Sequence, residues 1–564
     1  MAWWRWGRWL AIPAVAGLGW WMGSTSAAGG PSQPELGPPA FVGYAGNAEH
    51  NPAYPSPTAS PWRRAWTVDT PGALQQASLA GGVIYVGGDG GTSSSNGVYA
   101  IDAKSGRMLW HRSLANMVMT TPVVAEGMVF VGLGNQQFSA ADQAKVQHLK
   151  SRGIVRGTGA NAWMALDAAT GAVLWTRPTR GEDMPTPVYA HGVLYTVNGS
   201  GDVVAYWAKT GTPLWSLRIP SYVSMSSPVL VGDNLIFAGA HPYRLYSVNL
   251  AQRRLNWRAA IPGAFAGADD CSVAVGGGRI YLEATTGTQR HPQATAYAYA
   301  LSTGRLLWKT ALGGGSLVRD IEVGAPTVIG KTVYLGSAIT HRLYALDAAT
   351  GQVRWAFPAA GPISASPVVA GGRVYVGDGA GLLYALDART GRLVDSLDLG
   401  GPMAADFPIL VGQTLYQPEE NGQLAAVPLA PSGFVHSGGL PPLPRGPAQG
   451  PVMQGARLFQ DAGWSPRHLA CSSCHLAGGT RAAVRDGVLV PSLIGAASRF
   501  PEVTPSGVRT LTAQIENCLG AMGIQPLAQD DPRLLALDAY LRWLSSGFPQ
   551  QLGTSQPHSH AGGC

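Results

Sequence analysis

From about residue 65 to residue 429, short runs of alternating apolar and polar residues recur in groups, and each group ends on the same phrase. Tyr99 to Trp110 reads Tyr-Ala-Ile-Asp-Ala-Lys-Ser-Gly-Arg-Met-Leu-Trp, and Met164 to Trp175 repeats it. Further copies run from Ala205 to Trp215, Tyr246 to Trp257, Tyr299 to Trp308, Tyr344 to Trp355 and Tyr384 to Asp395. Period-two alternation predicts strands, and the Gly-Gly and Asp-x-x-Thr-Gly steps between them predict hairpin turns. Tryptophan spacings of 40, 42, 51 and 47 residues fit one four-stranded blade per repeat, with the tryptophan packed between blades. Seven copies and a degenerate eighth (Phe407 to Leu429) predict a mainly β chain with a closed eight-bladed propeller over 65–429. The early strand Arg64 to Asp69 is expected to complete the last blade.

After residue 429 the pattern changes. A Pro/Gly-rich linker is expected over 430–450. Beyond it, Leu534, Leu537, Leu541 and Leu544 recur at helical spacing, with Pro532 at the first turn. A small all-α domain is therefore expected over 451–549, and the tail 550–564, including His558, His560 and Cys564, reads as disordered. At the other end, Arg5 and Arg8 precede an apolar run from Leu10 to Met22 and small residues up to Ala28. This is the arrangement of a signal peptide over 1–28, and the run is short for a membrane span. Periplasmic location with no membrane span follows as an expectation.

Composition narrows the classes of function. The chain has 564 residues, only 13% of them charged, with 75 glycines, 42 prolines and 18 tryptophans, as suits many short strands and tight turns. Its formal charge of +7 contains no long basic run, so nucleic acid is not an expected partner, whereas small anions are.

The chemistry is concentrated in Cys471-Ser-Ser-Cys474-His475. Two cysteines at this spacing followed by histidine form the pattern on which haem c is covalently attached, with His475 as proximal iron ligand. Half of a zinc site would need a second ligand pair, which is not found at suitable spacing. Cys271, Cys518 and Cys564 remain, an odd number that argues against a disulfide framework.

The propeller phrase resembles the repeat of pyrroloquinoline-quinone (PQQ) dehydrogenases and their cofactor-free relatives, among them an outer-membrane assembly lipoprotein and the tetrathionate hydrolases. Quinohaemoprotein alcohol dehydrogenases share the order of propeller then haem domain. Their quinone site carries a vicinal cysteine pair and calcium-binding acids, whereas this propeller has only Cys271. That difference argues against tightly bound PQQ. The chain entering each inner strand lines the central funnel, which places Met119, Met184, Met225, Asp269-Asp270-Cys271, Arg319-Asp320-Ile321-Glu322 and Asp406 there. The two acidic clusters suit a cation such as Ca2+ or a general base; capping turns or pairing with arginines is the plainer role. The long insertion from Asn135 to Asn161 is placed to shape a binding site.

Gly455-Ala-Arg-Leu-Phe459 resembles the first helix of a small cytochrome c. Ile515-Glu-Asn-Cys518-Leu-Gly-Ala-Met522-Gly-Ile-Gln-Pro526-Leu527 and the helix Leu537 to Gly547 resemble thiosulfate dehydrogenases and the A subunit of the Sox sulfur-oxidation cytochromes. The resemblance implies Cys518, 43 residues beyond His475, as distal iron ligand and catalytic sulfur, with Met522 as the alternative. It also implies action on a small anionic sulfur substrate, thiosulfate or tetrathionate, with electrons leaving to a periplasmic acceptor such as another cytochrome. Arg481, Arg485 and Arg499 offer charge for such a substrate. Those relatives carry two haems where this chain has one attachment motif, and Ala521-Met522-Gly523 replaces their Ser-Met-Asn-Gly. The competing expectations are a PQQ-dependent alcohol or sugar dehydrogenase and an electron-transfer propeller cytochrome without catalysis.

Overall fold

The computed structural model describes residues 53–54, 59–61, 65–90, 95–148, 152–317, 323–403, 408–431, 446–475, 479, 483–485, 488–490, 493, 496–500, 502–504, 507–545 and 553–554. Eight antiparallel sheets follow one another around a ring, with blades at 73–113, 123–178, 188–218, 229–260, 274–314, 327–358, 368–398 and 409–431. The eighth blade takes its outer strand from the start of the chain. Trp66–Asp69 pairs antiparallel with Gln423–Pro431 in the register Trp66↔Ala426 to Asp69↔Gln423. The eight-bladed expectation and the closing strand are both borne out. Two additions were not foreseen: Ala53–Tyr54 runs parallel to Val368–Ala370 on the seventh blade, and Ala59–Pro61 pairs with Gln423–Pro431.

Burial explains why the sequence alternates in some strands and not in others. The middle strands are covered on both faces by neighbouring blades, and Met128–Leu133 is buried at every position. Outer strands are half solvated and alternate accordingly, as Arg254–Ala260 does.

What joins blade to blade is one contact repeated around the ring. In the second blade's turn, Asp167 Oδ1 accepts from the Thr170 amide at 2.9 Å and the Thr170 hydroxyl at 2.7 Å, an Asx-type turn that ends on Gly171 at φ +69°. The Trp110 ring of the first blade lies flat against this glycine, and a methyl group there would come 2.6 Å from the ring. Gly171 is thus required both by its positive φ and by the indole. The same holds for Trp66 on Gly106, Trp175 on Gly211, Trp257 on Gly304, Trp308 on Gly351 and Trp355 on Gly391, with approaches of 2.4–2.7 Å. The indole N–H groups of Trp110, Trp175, Trp308 and Trp355 also find an acceptor in the next blade's turn, as Trp175 does with the Ala208 carbonyl at 2.8 Å. Blade four departs from the phrase: Arg253 occupies the glycine position and still adopts φ +54°.

Beyond the propeller, helices run over Gln449–Gln460, Cys471–Cys474, Leu511–Ala521 and Pro532–Leu544. The first and last pack closely at Gly455, where a methyl group would come 2.0 Å from the Ala536 carbonyl oxygen. Asp531 caps the last helix by accepting from the Arg533 amide at 2.8 Å, with Pro532 at its first position. Leu534, Leu537 and Leu544 are buried and Leu541 half-buried. The expectation of an all-α region is corrected. Ala483–Arg485 pairs with Val488–Val490, and Glu502–Thr504 pairs with Gly507–Arg509, two short hairpins built on valine-containing runs. The expected signal peptide, most of the linker and nearly all of the tail lie outside the described residues.

Removing an inter-blade indole should cost much more than removing a surface one. Trp175→Ala is expected to lower stability by about 3–5 kcal/mol, and Trp207→Ala, at 45% exposure, by less than about 0.5 kcal/mol. Thermal and denaturant unfolding of the two variants checks this.

Candidate functional site

A belt of hydrogen bonds fixes the ends of the inner strands in blades two to five. The Thr121 amide donates to the Thr186 hydroxyl, the Thr186 amide to the Ser227 hydroxyl, and the Ser227 amide to the Ser272 hydroxyl, each at 2.9 Å. Thr121 in turn donates its own hydroxyl to Gln76 of the first blade. Two residues before each hydroxyl of the belt stand Met119, Met184, Met225 and Asp270. The three methionines form one buried cluster, with Met117 packed against it, as their shared position in the funnel predicts. The fifth blade places a carboxylate where its neighbours place a thioether.

The long insertion of the second blade supplies the partner of that carboxylate. Its chain is stitched in by the Arg156 amide donating to the Gly199 carbonyl and the Glu182 amide donating to the Arg156 carbonyl, both at 2.9 Å. The Arg156 side chain then lies among acids from two further blades. Its Nε is 3.5 Å from Glu182 Oε1, its Nη1 is 3.4 Å from Asp270 Oδ1, and Nη1 also donates to the Ser224 hydroxyl. The guanidinium sits 5.8 Å from the centre of the Phe138 ring. Tyr222 stacks on His241 at 5.7 Å nearby.

Four carboxyl groups belong to this site: Glu182, Asp183, Asp269 and Asp270. Burial raises the pKa of each. Glu182 is pushed up to about 7 by burial and by Asp270, against the pull of Arg156. Asp183 is pushed well up by burial although Thr179 and Asn198 donate to it. Asp269 and Asp270 are raised by burial, and in Asp269 the neighbouring Asp270 charge adds to the rise. Burial opposes the charge of Arg156, but the facing acids outweigh it and hold the guanidinium ionised. Glu182 is the exceptional member. It is 0% exposed, its partner is the Arg156 guanidinium at 3.5 Å with Ser224 nearby, and neither carboxyl oxygen accepts a well-formed hydrogen bond. Buried polar atoms are seldom left so, and such a group is poised to meet a ligand or exchange a proton.

Of the acids expected from the sequence, the structure brings Asp269 and Asp270 together with Arg156 and Glu182. Cys271, beside them, is a core residue: burial pushes its thiol far up, and its sulfur is 3.4 Å from the Ser272 carbonyl oxygen. Arg319, Asp320, Glu322 and Asp406 lie outside the described residues, as do Arg481 and the side chains of Arg485 and Arg499. Glu182, Asp183 and Arg156 were not singled out from the sequence. The first two directly precede Met184, in register with Asp269, so lining up the inner strands would have exposed them. Among the described residues no group of three His, Cys, Asp or Glu side chains is arranged to hold a metal ion.

The haem motif occupies the second candidate site. Cys471 and Cys474 lie on one short helix, and His475 closes it with its amide donating to the Cys471 carbonyl at 2.9 Å. His475 is 9% exposed, with its ring 6.3 Å from Phe459, which lies 5.4 Å from Tyr540. Cys518 is half-buried on Leu511–Ala521, and Met522 at the end of that helix is 8% exposed. Phe459, Met522, Tyr540 and Trp543 belong to one apolar cluster, against which Cys471 packs. Two thiols on one helical turn beside a buried imidazole, set against an apolar wall, are a donor set that fits a covalently held haem.

Comparison with known proteins places the propeller. The family profile described as outer membrane protein assembly factor BamB matches residues 59–288 and 292–435. The tetrathionate hydrolase of Acidithiobacillus ferrooxidans is 27% identical over 440 residues, covering 70% of this chain and 87% of its own. That of Acidianus ambivalens is 26% identical over 382 residues, covering 63% and 70%. Among solved structures, the quinohemoprotein alcohol dehydrogenase ADHIIG of Pseudomonas putida HK5 shares the fold at 14% identity and a TM-score of 0.50, over 90% of this chain and 95% of its own.

The raised carboxyls set a direction for stability against pH. An acid whose folded pKa lies above its unfolded value keeps a proton that the unfolded chain has already released. Stability is then full below the ordinary carboxylate range and is lost as pH rises toward the folded value. For Glu182, raised from 4.5 to about 7, the loss across that window amounts to about 3 kcal/mol. The melting temperature should fall as pH is raised from about 4 to about 7, and Glu182→Gln should flatten the slope. A melting temperature that rises through this window in the wild-type chain would contradict the buried-acid site.

Proposed function

The chain belongs to the family of the outer membrane protein assembly factor BamB, and from that premise we propose that it is a periplasmic enzyme acting on a sulfur oxyanion, with tetrathionate the favoured substrate. One observation carries the reading: Glu182, fully buried and ion-paired to Arg156, faces Asp270 in a propeller whose relatives include tetrathionate hydrolases. Arg156 draws the anion in. Glu182, with a pKa about 7, takes a proton from water near neutrality. The water oxygen bonds to one terminal sulfonate sulfur, and the bond from that sulfur to its sulfane neighbour breaks. Sulfate, a shorter sulfane sulfonate and two protons result. The bonding pair stays on the sulfane sulfur, which becomes a thiolate-like electron donor. The methionine cluster gives that polarisable sulfur an apolar, thioether-lined wall.

Haem c held by Cys471, Cys474 and His475 would supply a one-electron acceptor for such a reduced sulfur, delivering electrons to a periplasmic cytochrome. Cys518 is the residue that would hold the iron together with His475, and its thiolate would lower the haem potential. Hydrolysis alone needs no redox group; a haem held there would serve a further oxidation of the released sulfane sulfur.

Two measurements test these roles. Sulfate release from tetrathionate should fall about 10²–10⁴-fold in Glu182→Gln, while haem content stays the same. Stoichiometric quinone in an extract of the purified protein, with alcohol-dependent haem reduction, would replace this reading by a PQQ dehydrogenase. For the iron, Cys518→Ala should change the low-spin ferric spectrum and abolish haem reduction by sulfur compounds, and Met522→Ala should leave the spectrum intact. A near-infrared methionine–iron band lost only in Met522→Ala would reverse the assignment.

A further inference from the structure

A cavity of about 400 Å³ has a wall that carries four arginines: Arg152, Arg180, Arg218 and Arg258. They come from four separate segments. Arg152 belongs to the insertion, Arg180 to the connection between blades two and three, and Arg218 and Arg258 to the outer strands of blades three and four. No acid lines the cavity. Arg218 is neutralised by Asp202 through Nε at 2.8 Å and a terminal nitrogen at 2.7 Å. Among the described residues, Arg152, Arg180 and Arg258 form no ion pair. All four arginines are exposed, so water screens their mutual repulsion, and three of them offer unpaired cationic donors to an anion entering the cavity.

The cavity wall leads directly into the reactive residues. Gly153, Ile154 and Val155 run into Arg156, Arg180 lies two residues before Glu182, and Ser200 follows Gly199, whose carbonyl accepts from the Arg156 amide. We infer that this cavity is an oxyanion-binding site that captures one sulfonate end of a doubly charged polythionate beside the Arg156–Glu182–Asp270 cluster. The inference rests on the sulfur-oxyanion reading above for the identity of the ligand, and on the arginines alone for its charge and class. Guanidinium forks suit a tetrahedral oxyanion because they offer paired N–H donors, which an ammonium does not. The site gives a physical basis for selecting ions with a charged group at each end over neutral alcohols, which gain nothing from it.

The full-length protein is treated with phenylglyoxal, with and without sodium sulfate or tetrathionate at constant ionic strength, and modified arginines are located by peptide mass. Modification of Arg180 and Arg258 should slow at least fivefold with either anion, while the exposed hairpin residue Arg290 reacts at an unchanged rate. In parallel, Arg180→Gln and Arg258→Gln should raise KM for tetrathionate about tenfold each, with much smaller loss of kcat, and Arg180→Lys should recover part of the loss. Absence of protection, or KM within twofold of wild type in the double variant, overturns the cavity as a binding site and leaves the catalytic reading standing. Protection by sulfate in a protein that does not turn over tetrathionate sinks the catalytic reading and upholds the cavity as an oxyanion site. Because the protection experiment uses unaltered protein, a variant that fails to fold does not remove the test.

Discussion

The ring stands on an indole pressed against a glycine. Each tryptophan at the end of a blade reaches across to the tight turn of the next, and only a residue without a side chain lets the ring come so near. The contact joins a local constraint to a global one. The same glycine needs a positive φ to close its own hairpin, so a single substitution disturbs a turn and an interface together. Closure follows the same rule, since Trp66 on the first outer strand docks on Gly106 and ties the start of the chain to the first blade while its strand completes the eighth. No blade has to be stable alone, because its faces are covered by two neighbours.

That rigid ring is what allows a costly site at its centre. Four buried carboxyls and one guanidinium are a poor way to stabilise a fold, since removing each charge from water costs more than a distant partner returns. The belt from Thr121 to Ser272 holds their carrier segments in place with uncharged hydrogen bonds. The acids are thus positioned by the backbone rather than by one another. This leaves Glu182 with unused acceptor capacity, and it leaves the Asp269–Asp270 pair raised together. A site assembled in this way is organised before any ligand arrives, as electrostatic catalysis requires.

How much of this could be read from the chain depended on the length of the signal. The repeated phrase is long and carries its own turn chemistry, so blade number, ring closure and the role of the tryptophans were legible. Asp269 and Asp270 were legible because two acids stand where apolar residues are expected. Glu182 and Asp183 gave a like signal one residue earlier, with Asp183 in register with Asp269, but Met184 masks it by matching Met119 and Met225. Arg156 was hidden for a different reason. An insertion has no repeat to be compared with, so nothing in its sequence says which of its residues turns inward. In the C-terminal region the helices followed from leucine spacing, whereas the hairpins at 483–490 and 502–509 rest on runs of three residues, below the length at which alternation can be recognised.

The distribution of charge across the molecule orders the parts into a direction of travel. In the proposed path the exposed arginines of the cavity act first, Arg156 with its acids next, and the methionine thioethers last. An oxyanion is attracted first by charge it can keep in water, then meets acids that can exchange protons, and its reduced sulfur is left against soft, uncharged groups. Reversing any two of these layers would fail on elementary grounds: acids outermost would repel the anion, and thioethers outermost would not attract it. The order also separates affinity from chemistry, because the groups that recognise the oxyanion are not those that titrate near neutrality. An alcohol, neutral and without a sulfonate, would find no use for the first layer and no complement in the last. On the proposed reading it is this arrangement, more than any single residue, that turns a common scaffold toward sulfur.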